Sequence, residues 1–271
     1  MRGNIHARPM EQALQFRLRC DCEACRGLCC VALYCAKCDG FPADKTAGEP
    51  CCFLRRDSRC AVHDQLAARG LKGCISFDCL GAGQRAVQAC GGADWRKDAK
   101  TAERLFAAFA HCWQLQQMLW YLAEVCTLAA ADALKDAAGR LITENERVTA
   151  ERLDEYRTRV NALLERAASA VRNAVNAKAA SRRRADLLGK RMNKSDFSGV
   201  DFTGALLIAA DLSDCRLAGA CLLGADLRDT NLCGADLRDS LFLTQAQLNA
   251  ARGDGRTRLA PFLQRPAGWN A

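Results

Sequence analysis

The sequence predicts a multidomain protein with three successive architectures: a cysteine-rich, metal-organised module, a long antiparallel α-helical hairpin, and a solenoid of five-residue repeats. Thirteen of the 18 cysteines lie between Cys20 and Cys90. Residues 94–184 contain one glycine and no proline, and large apolar residues recur at every fifth position from Leu187 to Phe242. We therefore expect four segments: a module at 1–93, a hairpin at 94–184, a solenoid at 185–244 and a cap at 245–271.

The composition is that of a folded protein, because half of the 271 residues are hydrophobic. Lys and Arg number 39 against 31 Asp and Glu, a net charge of +8. This charge is too diffuse to predict nucleic-acid binding, which needs a dense basic stripe. The N-terminus is charged throughout, and the longest charge-free stretch, Leu105 to Ala123, holds a histidine and three glutamines. We expect neither a signal peptide nor a membrane span, and a cytoplasmic location.

The cysteine-rich module has frequent Gly and Pro breaks and no sustained helix or strand period. In a reducing compartment, clustered cysteines are more often metal ligands than disulfides. Its short Cys-x2-Cys steps let two thiolates from one turn reach the same ion, and a distant pair can close the tetrahedron. Such a loop-rich stretch buries little apolar surface, so metal binding would supply the missing folding free energy.

Five sequence blocks in this module resemble a family of zinc- or iron-chelating cysteine domains named for a CxxCxxCC-type motif. The blocks are Cys25-Arg-Gly-Leu-Cys29-Cys30, Pro50-Cys51-Cys52-Phe53-Leu54, Arg59-Cys60-Ala61-Val62-His63, Gly73-Cys74 and Phe77-Asp78-Cys79. The spacing departs from the motif in having three residues, not two, before the Cys29-Cys30 pair. The resemblance implies seven ligands: Cys25, Cys29, Cys30, Cys51, Cys60, Cys74 and Cys79. We add Cys22 as the eighth and keep Cys35, Cys38 and Cys52 as extra candidates.

The identity of the metal stays open at this point, since all-thiolate sites suit zinc and iron–sulfur clusters alike. Eight ligands could form two four-cysteine zinc sites, or one cluster with some cysteines left over. We expect structural zinc, with iron or an iron–sulfur cluster as the alternative and disulfides as a third reading.

The hairpin region is dominated by strong helix formers. Gly139 suits a helix end, and Thr143 with Glu146 matches a capping box, which predicts helices over about 95–138 and 144–182. Apolar residues at 3–4 spacing give each helix a seam. The first seam comprises Leu105, Phe109, Cys112, Leu119, Cys126 and Ala130. The second comprises Leu153, Tyr156, Val160, Leu163, Ala167, Val171 and Ala174.

A second apolar stripe on the first helix consists of Phe106, Trp113 and Trp120, spaced seven apart. Two stripes on one helix indicate that more than one of its sides is covered. The stripe could pack against the cysteine-rich module or the C-terminal domain. Alternatively it could form a homodimer seam, because exposed aromatic patches often mark interfaces.

The solenoid region keeps a period of five without slip over twelve units. The central residue of every unit is large and apolar, and the residue two before it is small in eleven units. A fixed short period predicts a solenoid. These units resemble the pentapeptide-repeat family, with its A(D/N)LXX pattern, which implies a right-handed quadrilateral β-helix of about three coils. After it we expect a short helix at Gln245–Ala251 and an end cap formed by Pro261, Phe262 and Trp269.

No serine–histidine–aspartate set, paired-carboxylate motif or Walker-type loop appears in the sequence. The sequence leaves open whether the protein is an enzyme, and these absences favour a protein that is not. We expect a non-enzymatic metal-binding scaffold whose solenoid binds a protein partner. The outward positions offer charged candidates for this face: Asp211, Asp214, Asp226, Asp229, Asp236, Asp239, Arg216, Arg228 and Arg238. One alternative is an iron–sulfur or other redox-active protein. Another, implied by the pentapeptide-repeat resemblance, is a DNA mimic that binds gyrase and gives resistance.

Overall fold

The computed structural model describes residues 5, 6 and 9–269. Residues 1–4, 7 and 8 of the predicted cysteine-rich module and residues 270–271 of the predicted cap lie outside the described residues. The chain forms two compact units, Glu11–Trp120 and a second unit that joins the N-terminal ten residues to 121–271. The boundary between these units falls inside the long helix that begins the predicted hairpin region.

The unit at Glu11–Trp120 is built mainly from loops and short helices. Its α-helices are α1 (Gln12–Arg17), α2 (Leu28–Ala32), α3 (Lys72–Ile75), α4 (Ala82–Ala89) and α5 (Ala99–Val125), the last of which continues into the other unit. Single-turn 3-10 helices lie at Lys37–Asp39 and His63–Gln65. Two isolated antiparallel bridges, Cys35 with Lys45 and Leu54 with Cys60, tie the loops together.

The apolar packing of this unit includes two small clusters. The first joins α2, α4 and α5 through Leu28, Val31, Ala82, Ala86, Val87, Leu105 and Phe109. The second lies among the loops and comprises Cys35, Phe41, Cys51, Val62 and Leu71. Leu105 and Phe109 belong to the predicted hairpin seam, yet they pack here against the cysteine-rich region. The prediction that these two residues face the second helix of the hairpin is therefore wrong.

The aromatic stripe of α5 makes contacts inside the same unit. The indole Nε1 of Trp113 donates a hydrogen bond to the carbonyl oxygen of Asp78 at 3.0 Å, and its ring lies 5.4 Å from that of Phe77. Phe106 packs against the first apolar cluster, and Trp120 is buried. These contacts favour the packing interpretation, and the homodimer seam through Phe106, Trp113 and Trp120 is unsupported.

In the second unit the predicted helix over 95–138 is interrupted after Val125, and α6 (Lys135–Glu144) follows a 3-10 turn at Ala129–Leu134. The break has a tertiary cause: Leu128 leaves the helix to form an antiparallel bridge with His6. Thr127 supports that bridge, because its Oγ1 lies within hydrogen-bond distance of His6 Nδ1, at 2.9 Å, and donates its own hydrogen to the carbonyl of Glu124.

The second predicted helix begins later and ends earlier than 144–182, as α7 (Leu153–Asn176). Two 3-10 turns, Asn145–Arg147 and Ala150–Arg152, precede it. α6 and α7 pack together, and the buried Tyr156 hydroxyl donates to the carbonyl of Leu141 at 2.9 Å. The predicted seam of α7 is buried at Leu153, Tyr156, Val160, Leu163, Ala167 and Val171. Its last predicted residue, Ala174, is exposed.

The five-residue repeats form a parallel β-helix of 20 residues per coil. Up to Leu241, each bridge joins residues 20 positions apart, as in the series Ser181, Asp201, Cys221 and Leu241. Each pentapeptide contributes one bridging residue, so the ladder appears as isolated bridges and not as long strands. The central apolar residues point inward and are fully buried through the middle coil: Phe202, Leu207, Leu212 and Leu217.

The ladder is longer than the predicted 185–244. It starts at Ser181, where the central residue is Arg182, stacked 5.9 Å from the ring of Phe197. It continues past α8 (Gln245–Ala250), the expected short helix, which has a capping box between Thr244 and Gln247. The backbone of Arg252 then forms a parallel bridge with Asn231, and that of Arg258 forms one with Asp236. The 245–269 segment therefore both extends the ladder and caps it.

The bridging residues stack into four outward columns, which we name A to D. Column A is Ser181, Asp201, Cys221 and Leu241; column B is Asp186, Leu206 and Asp226; column C is Arg191, Asp211, Asn231 and Arg252; column D is Asp196, Arg216, Asp236 and Arg258. Among the helices that the structure describes, none has the length and hydropathy that a membrane span requires.

Candidate functional site

Ten of the 14 cysteines of the Glu11–Trp120 unit lie in two groups. The first, which we call thiol group one, comprises Cys20, Cys22, Cys25 and Cys79. The Sγ atoms of Cys20 and Cys79 are 3.3 Å apart, and the thiol of Cys25 lies 3.3 Å from the carbonyl oxygen of Cys22, to which it can donate. Gly83 lies against Cys25, where an added Cβ would come 2.7 Å from the cysteine Cβ. The absence of a side chain at Gly83 therefore lets the Cys25 loop and α4 approach closely.

Two similar loops present one thiol each in this group. After Cys25, Arg26 and Gly27 both have positive φ, at 55° and 68°; after Cys79, Leu80 and Gly81 do the same, at 49° and 81°. The loops turn backbone N–H groups towards the sulfur, from Gly27 and Leu28 in one case and from Gly81 and Gly83 in the other.

This arrangement favours one thiolate in each loop. The hydrogen bond from Cys22, aided by the backbone N–H groups and opposed by burial, lowers the pKa of Cys25 to about 6. The hydrogen bond from Cys20 acts in the same way and lowers the pKa of Cys79 to about 7. Because the thiolate is the form that binds metals, both loops offer a ligand in its binding state.

Thiol group two comprises Cys29, Cys30, Cys35, Cys51, Cys60 and Cys74. The Sγ atoms of Cys29 and Cys30 are 3.9 Å apart. Cys30, Cys60 and Cys74 pack against the apolar cluster that contains Cys35 and Cys51. Burial, with repulsion from Cys35, Cys51, Cys29 and Cys60, raises the pKa of Cys74 to about 12. The free thiol of Cys74 is therefore held mainly in its protonated form.

The eight predicted ligands are divided between these groups. Cys22, Cys25 and Cys79 lie in the first, and the other five lie in the second: Cys29, Cys30, Cys51, Cys60 and Cys74. Sequence reasoning missed Cys20, although its position two residues before Cys22 was an available signal. It kept Cys35 only as an extra candidate, whereas Cys38 and Cys52, the other two extras, are exposed.

The donor chemistry and the pair spacings fit a thiophilic ion. Two thiolates on one tetrahedral zinc are about 3.8 Å apart, given zinc–sulfur bonds of about 2.3 Å. The Cys20–Cys79 and Cys29–Cys30 distances of 3.3 and 3.9 Å lie on either side of that value. Full ligand sets do not converge: within the described part of the chain, no three Cys, His, Asp or Glu side chains form a group that could hold an ion.

A second candidate site is the outer surface of the β-helix, where column A is covered by α7. Arg172 of α7 donates to the carbonyl of Gly199 at 2.8 Å and to Asp201 Oδ2 at 3.2 Å. Val175 approaches Gly219 so closely that an added Cβ would lie 2.9 Å from its methyl group. Cys221, which the repeat frame places outward, is consequently buried.

Columns C and D are exposed or half-buried and carry charges of both signs. Column D runs Asp, Arg, Asp, Arg, and three of the six predicted outward aspartates, Asp214, Asp226 and Asp236, form an ion pair with an arginine. Asp226 pairs with Arg228 at 2.7 Å, and Asp236 pairs with Arg238 at 2.6 Å. Hydrogen bonds from the hydroxyl and N–H of Ser213 lower the pKa of Asp211. The exposed faces are thus ordered arrays of ionised groups.

Comparisons with known proteins agree with this repeat architecture. Residues 183–213 and 210–252 match the family model for pentapeptide repeats, in eight copies. Over 268 residues the chain is 41% identical to YybG, an uncharacterized protein of Bacillus subtilis (strain 168), with 94% of this chain and 96% of that protein covered.

Two solved pentapeptide-repeat structures also show similarity over part of the chain. Rfr23 from the cyanobacterium Cyanothece 51142 is 26% identical, with a TM-score of 0.21 and 29% of this chain covered. A protein from the Arabidopsis thaliana thylakoid lumen is 22% identical, with a TM-score of 0.15 and 30% of this chain covered. The matched parts span 63% and 51% of those two proteins.

Proposed function

The chain belongs to the family of the Bacillus subtilis protein YybG and carries pentapeptide repeats in its C-terminal third, and from this we propose that it is a non-enzymatic scaffold that binds a protein partner. Pentapeptide-repeat proteins are generally protein-interaction scaffolds. The observation that carries the proposal is the backbone ladder of the β-helix, which holds columns C and D in fixed register. Rigid, ordered side chains lose little entropy on binding, which favours affinity.

Site-specific photo-crosslinking tests the scaffold proposal. A photoreactive residue would replace Arg191 of column C or Asp196 of column D, both exposed, in chains expressed in their native host. The control position is Arg166, exposed on α7. We expect one reproducible protein adduct from the column positions and none from the control. The identified partner must then bind the purified chain saturably; equal labelling at all three positions would contradict the proposal.

We propose in addition that the cysteine-rich module binds metal, with zinc as the expected ion and iron or an iron–sulfur cluster as the alternative. Cys20, Cys22, Cys25 and Cys79 would hold one ion. Four of the six thiols in group two would hold another, with Cys30 and Cys60 among them. The thiolate-forming loops at Cys25 and Cys79 support this proposal. Bound metal would contribute folding free energy to the loop-rich part of this unit.

Elemental analysis of reduced, anaerobically purified protein tests the metal proposal. We expect about two zinc equivalents per chain and no visible absorbance. Cys25→Ser with Cys79→Ser should remove about one equivalent, and Cys30→Ser with Cys60→Ser the other. Cys233→Ser, in the repeat domain, is the matched control and should keep both. Iron with visible absorbance would select the alternative cofactor, and a chain free of both metals would overturn the proposal.

A further inference from the structure

The C-terminal end of the repeat domain carries a concavity of about 1010 Å³ with an unusual concentration of arginine. Its charged lining comprises Asp214, Asp236, the half-buried Arg265 and four further arginines: Arg216, Arg238, Arg256 and Arg258. All four of these arginines are exposed to solvent. The concavity therefore presents guanidinium groups at the surface of a domain whose 185–244 segment has nine aspartates against six Lys and Arg.

The β-helix ladder sets the spacing of the central charges. The backbone of Arg216 forms a bridge with that of Asp236, and the backbone of Asp236 forms the next bridge with that of Arg258, so the three are consecutive rungs of column D. Neighbouring rungs are about 4.8 Å apart. Arg258 reaches this position only because α8 is inserted in the last coil and the chain then returns to the ladder. This insertion is why the five-residue frame does not reveal the site.

A braced loop presents the third arginine, Arg256. The Oδ1 atom of Asp254 accepts hydrogen bonds from the N–H groups of Gly234 at 2.9 Å, Arg256 at 3.0 Å and Thr257 at 3.0 Å. The guanidinium of Arg265 donates hydrogen bonds to the carbonyl oxygens of Asp254 and Thr257. The position of Arg256 is therefore fixed by the fold before any partner binds.

The acids of the concavity do not consume its positive charge. Asp236 is engaged by Arg238 through Nε at 2.9 Å and Nη2 at 2.6 Å. Asp214 accepts from Arg256 at 3.2 Å. Arg258 lies 3.7 Å from the already paired Asp236, and no acid of the described residues lies within ion-pair distance of Arg216. Two guanidiniums, those of Arg216 and Arg258, thus remain able to take a new anionic partner.

We infer that this concavity binds an acidic segment of the partner protein, whose carboxylates engage Arg216 and Arg258; the inference rests on the scaffold function proposed above. Guanidinium groups bind carboxylates in a planar, two-pronged geometry. A nucleic acid is a poorer match, because its continuous phosphates would pass over Asp214 and Asp236. A peptide can place its carboxylates singly and leave those positions uncharged.

Fluorescence anisotropy with a labelled hexaglutamate peptide and the full-length chain tests the inference. We expect saturable binding that weakens as salt is raised. Arg216→Ala with Arg258→Ala should weaken it by at least about tenfold. The matched control is Arg228→Ala, an exposed arginine outside the concavity, which should leave it unchanged. Arg216→Gln alone, at a side chain without an ion pair to lose, should weaken binding several-fold while the circular dichroism stays native.

Three outcomes would overturn the inference: no binding of hexaglutamate, an equal loss in Arg228→Ala, or tighter binding of a single-stranded DNA of matched charge. The crosslinking experiment separates this failure from failure of the scaffold proposal. If the partner still crosslinks from position 191 with unchanged yield in the double-arginine variant, the concavity is not its site although the scaffold function stands. If no partner crosslinks from any column position, the scaffold function itself fails.

Discussion

At the scale of single residues, Glu124 carries a carboxyl group in an environment that opposes its charge. The side chain is fully buried near the end of α5, in the unit that contains the β-helix. Its Oε1 accepts a 2.8 Å hydrogen bond from the N–H of Phe242, and Oε2 has no partner among the described residues. Burial raises the pKa of Glu124 to about 8, against the smaller opposing effect of the Phe242 hydrogen bond.

Stability should therefore fall as the pH rises through the titration of Glu124. Its folded pKa exceeds the ordinary value of 4.5, so the stabilising contribution is complete below about pH 4.5 and is lost as the pH passes about 8. The loss amounts to on the order of 4 kcal/mol. Glu124→Gln should be less sensitive to pH between 5 and 9 in chemical unfolding. Parallel curves for the two proteins would show that Glu124 is already ionised in the fold.

Gly234 is a second residue whose identity follows from its surroundings. It has φ of +69° and stands two positions after the central residue of its unit. Ala209 and Asp214 stand at the same position of their units and adopt the same left-handed region. What distinguishes Gly234 is space, since an added Cβ would lie 2.2 Å from Asp214 Oδ1 and 3.2 Å from a nitrogen of Arg256. The glycine thus permits the ion pair that crosses this turn.

Gly234→Ala should destabilise the repeat domain by about 2–3 kcal/mol, from left-handed strain together with displacement of the Asp214–Arg256 pair. Gly224→Ala is the control, because Gly224 has φ of +63° but nothing within 4 Å of an added Cβ. It should cost only the strain, about 1 kcal/mol. Thermal unfolding of both variants measures the difference, and equal shifts would mean that crowding at Gly234 contributes nothing.

At the scale of elements, α7 and column A are joined through a nearly buried ion pair. Asp201 is 9% exposed in its side chain and lies 3.2 Å from Arg172 and 3.7 Å from Arg183. A carboxylate in such a place depends on its cation, because an unpaired buried charge is costly. The attachment of α7 to the β-helix therefore includes a specific polar contact as well as the apolar contact of Val175.

Arg172→Ala should lower the free energy of unfolding by about 2 kcal/mol, since Arg183 can compensate for part of the lost charge. Adding Asp201→Asn should restore part of this loss by removing the stranded carboxylate. Arg157→Ala is the comparison on the same helix, at an exposed pair with Asp154, and should change stability by no more than about 0.5 kcal/mol. If Arg172→Ala changed the free energy of unfolding as little as Arg157→Ala, the Arg172–Asp201 ion pair would not contribute to stability.

Elements also show what the sequence could predict. The five-residue period predicted the coil, because a packed axis demands one large apolar residue per unit. The period did not predict the first rung, at Ser181, because Arg182 stands in the central position there. It also did not predict the last rungs, at Arg252 and Arg258, because they follow the α8 insertion. The break after α5 carried no local signal, because helix formers continue through it; His6, more than 100 residues away, causes it. The thiol grouping was similarly hidden, since Cys20 meets Cys79 only through tertiary folding.

At the scale of the whole molecule, the two units have different sources of order. The β-helix unit has a continuous backbone ladder and an apolar axis. The Glu11–Trp120 unit is built from loops and helices around apolar clusters, with ten thiols in two groups. A DNA mimic would need a long, uniformly negative rod, whereas the exposed columns carry charges of both signs and the last rungs carry arginine. The charge pattern thus favours a protein scaffold.

Removal of metal should therefore affect one unit and spare the other. If thiolates in groups one and two are held by ions, a chelator under reducing conditions removes the folding free energy those ions provide. We expect fast amide hydrogen exchange over residues 20–80 after chelation, while the N–H groups of 201–243 stay protected. Added zinc should restore protection, and protein with serine at Cys25, Cys79, Cys30 and Cys60 should exchange rapidly without chelator. Unchanged protection over 20–80 would mean that apolar packing alone holds the module, and a loss over both regions would mean that the units unfold together.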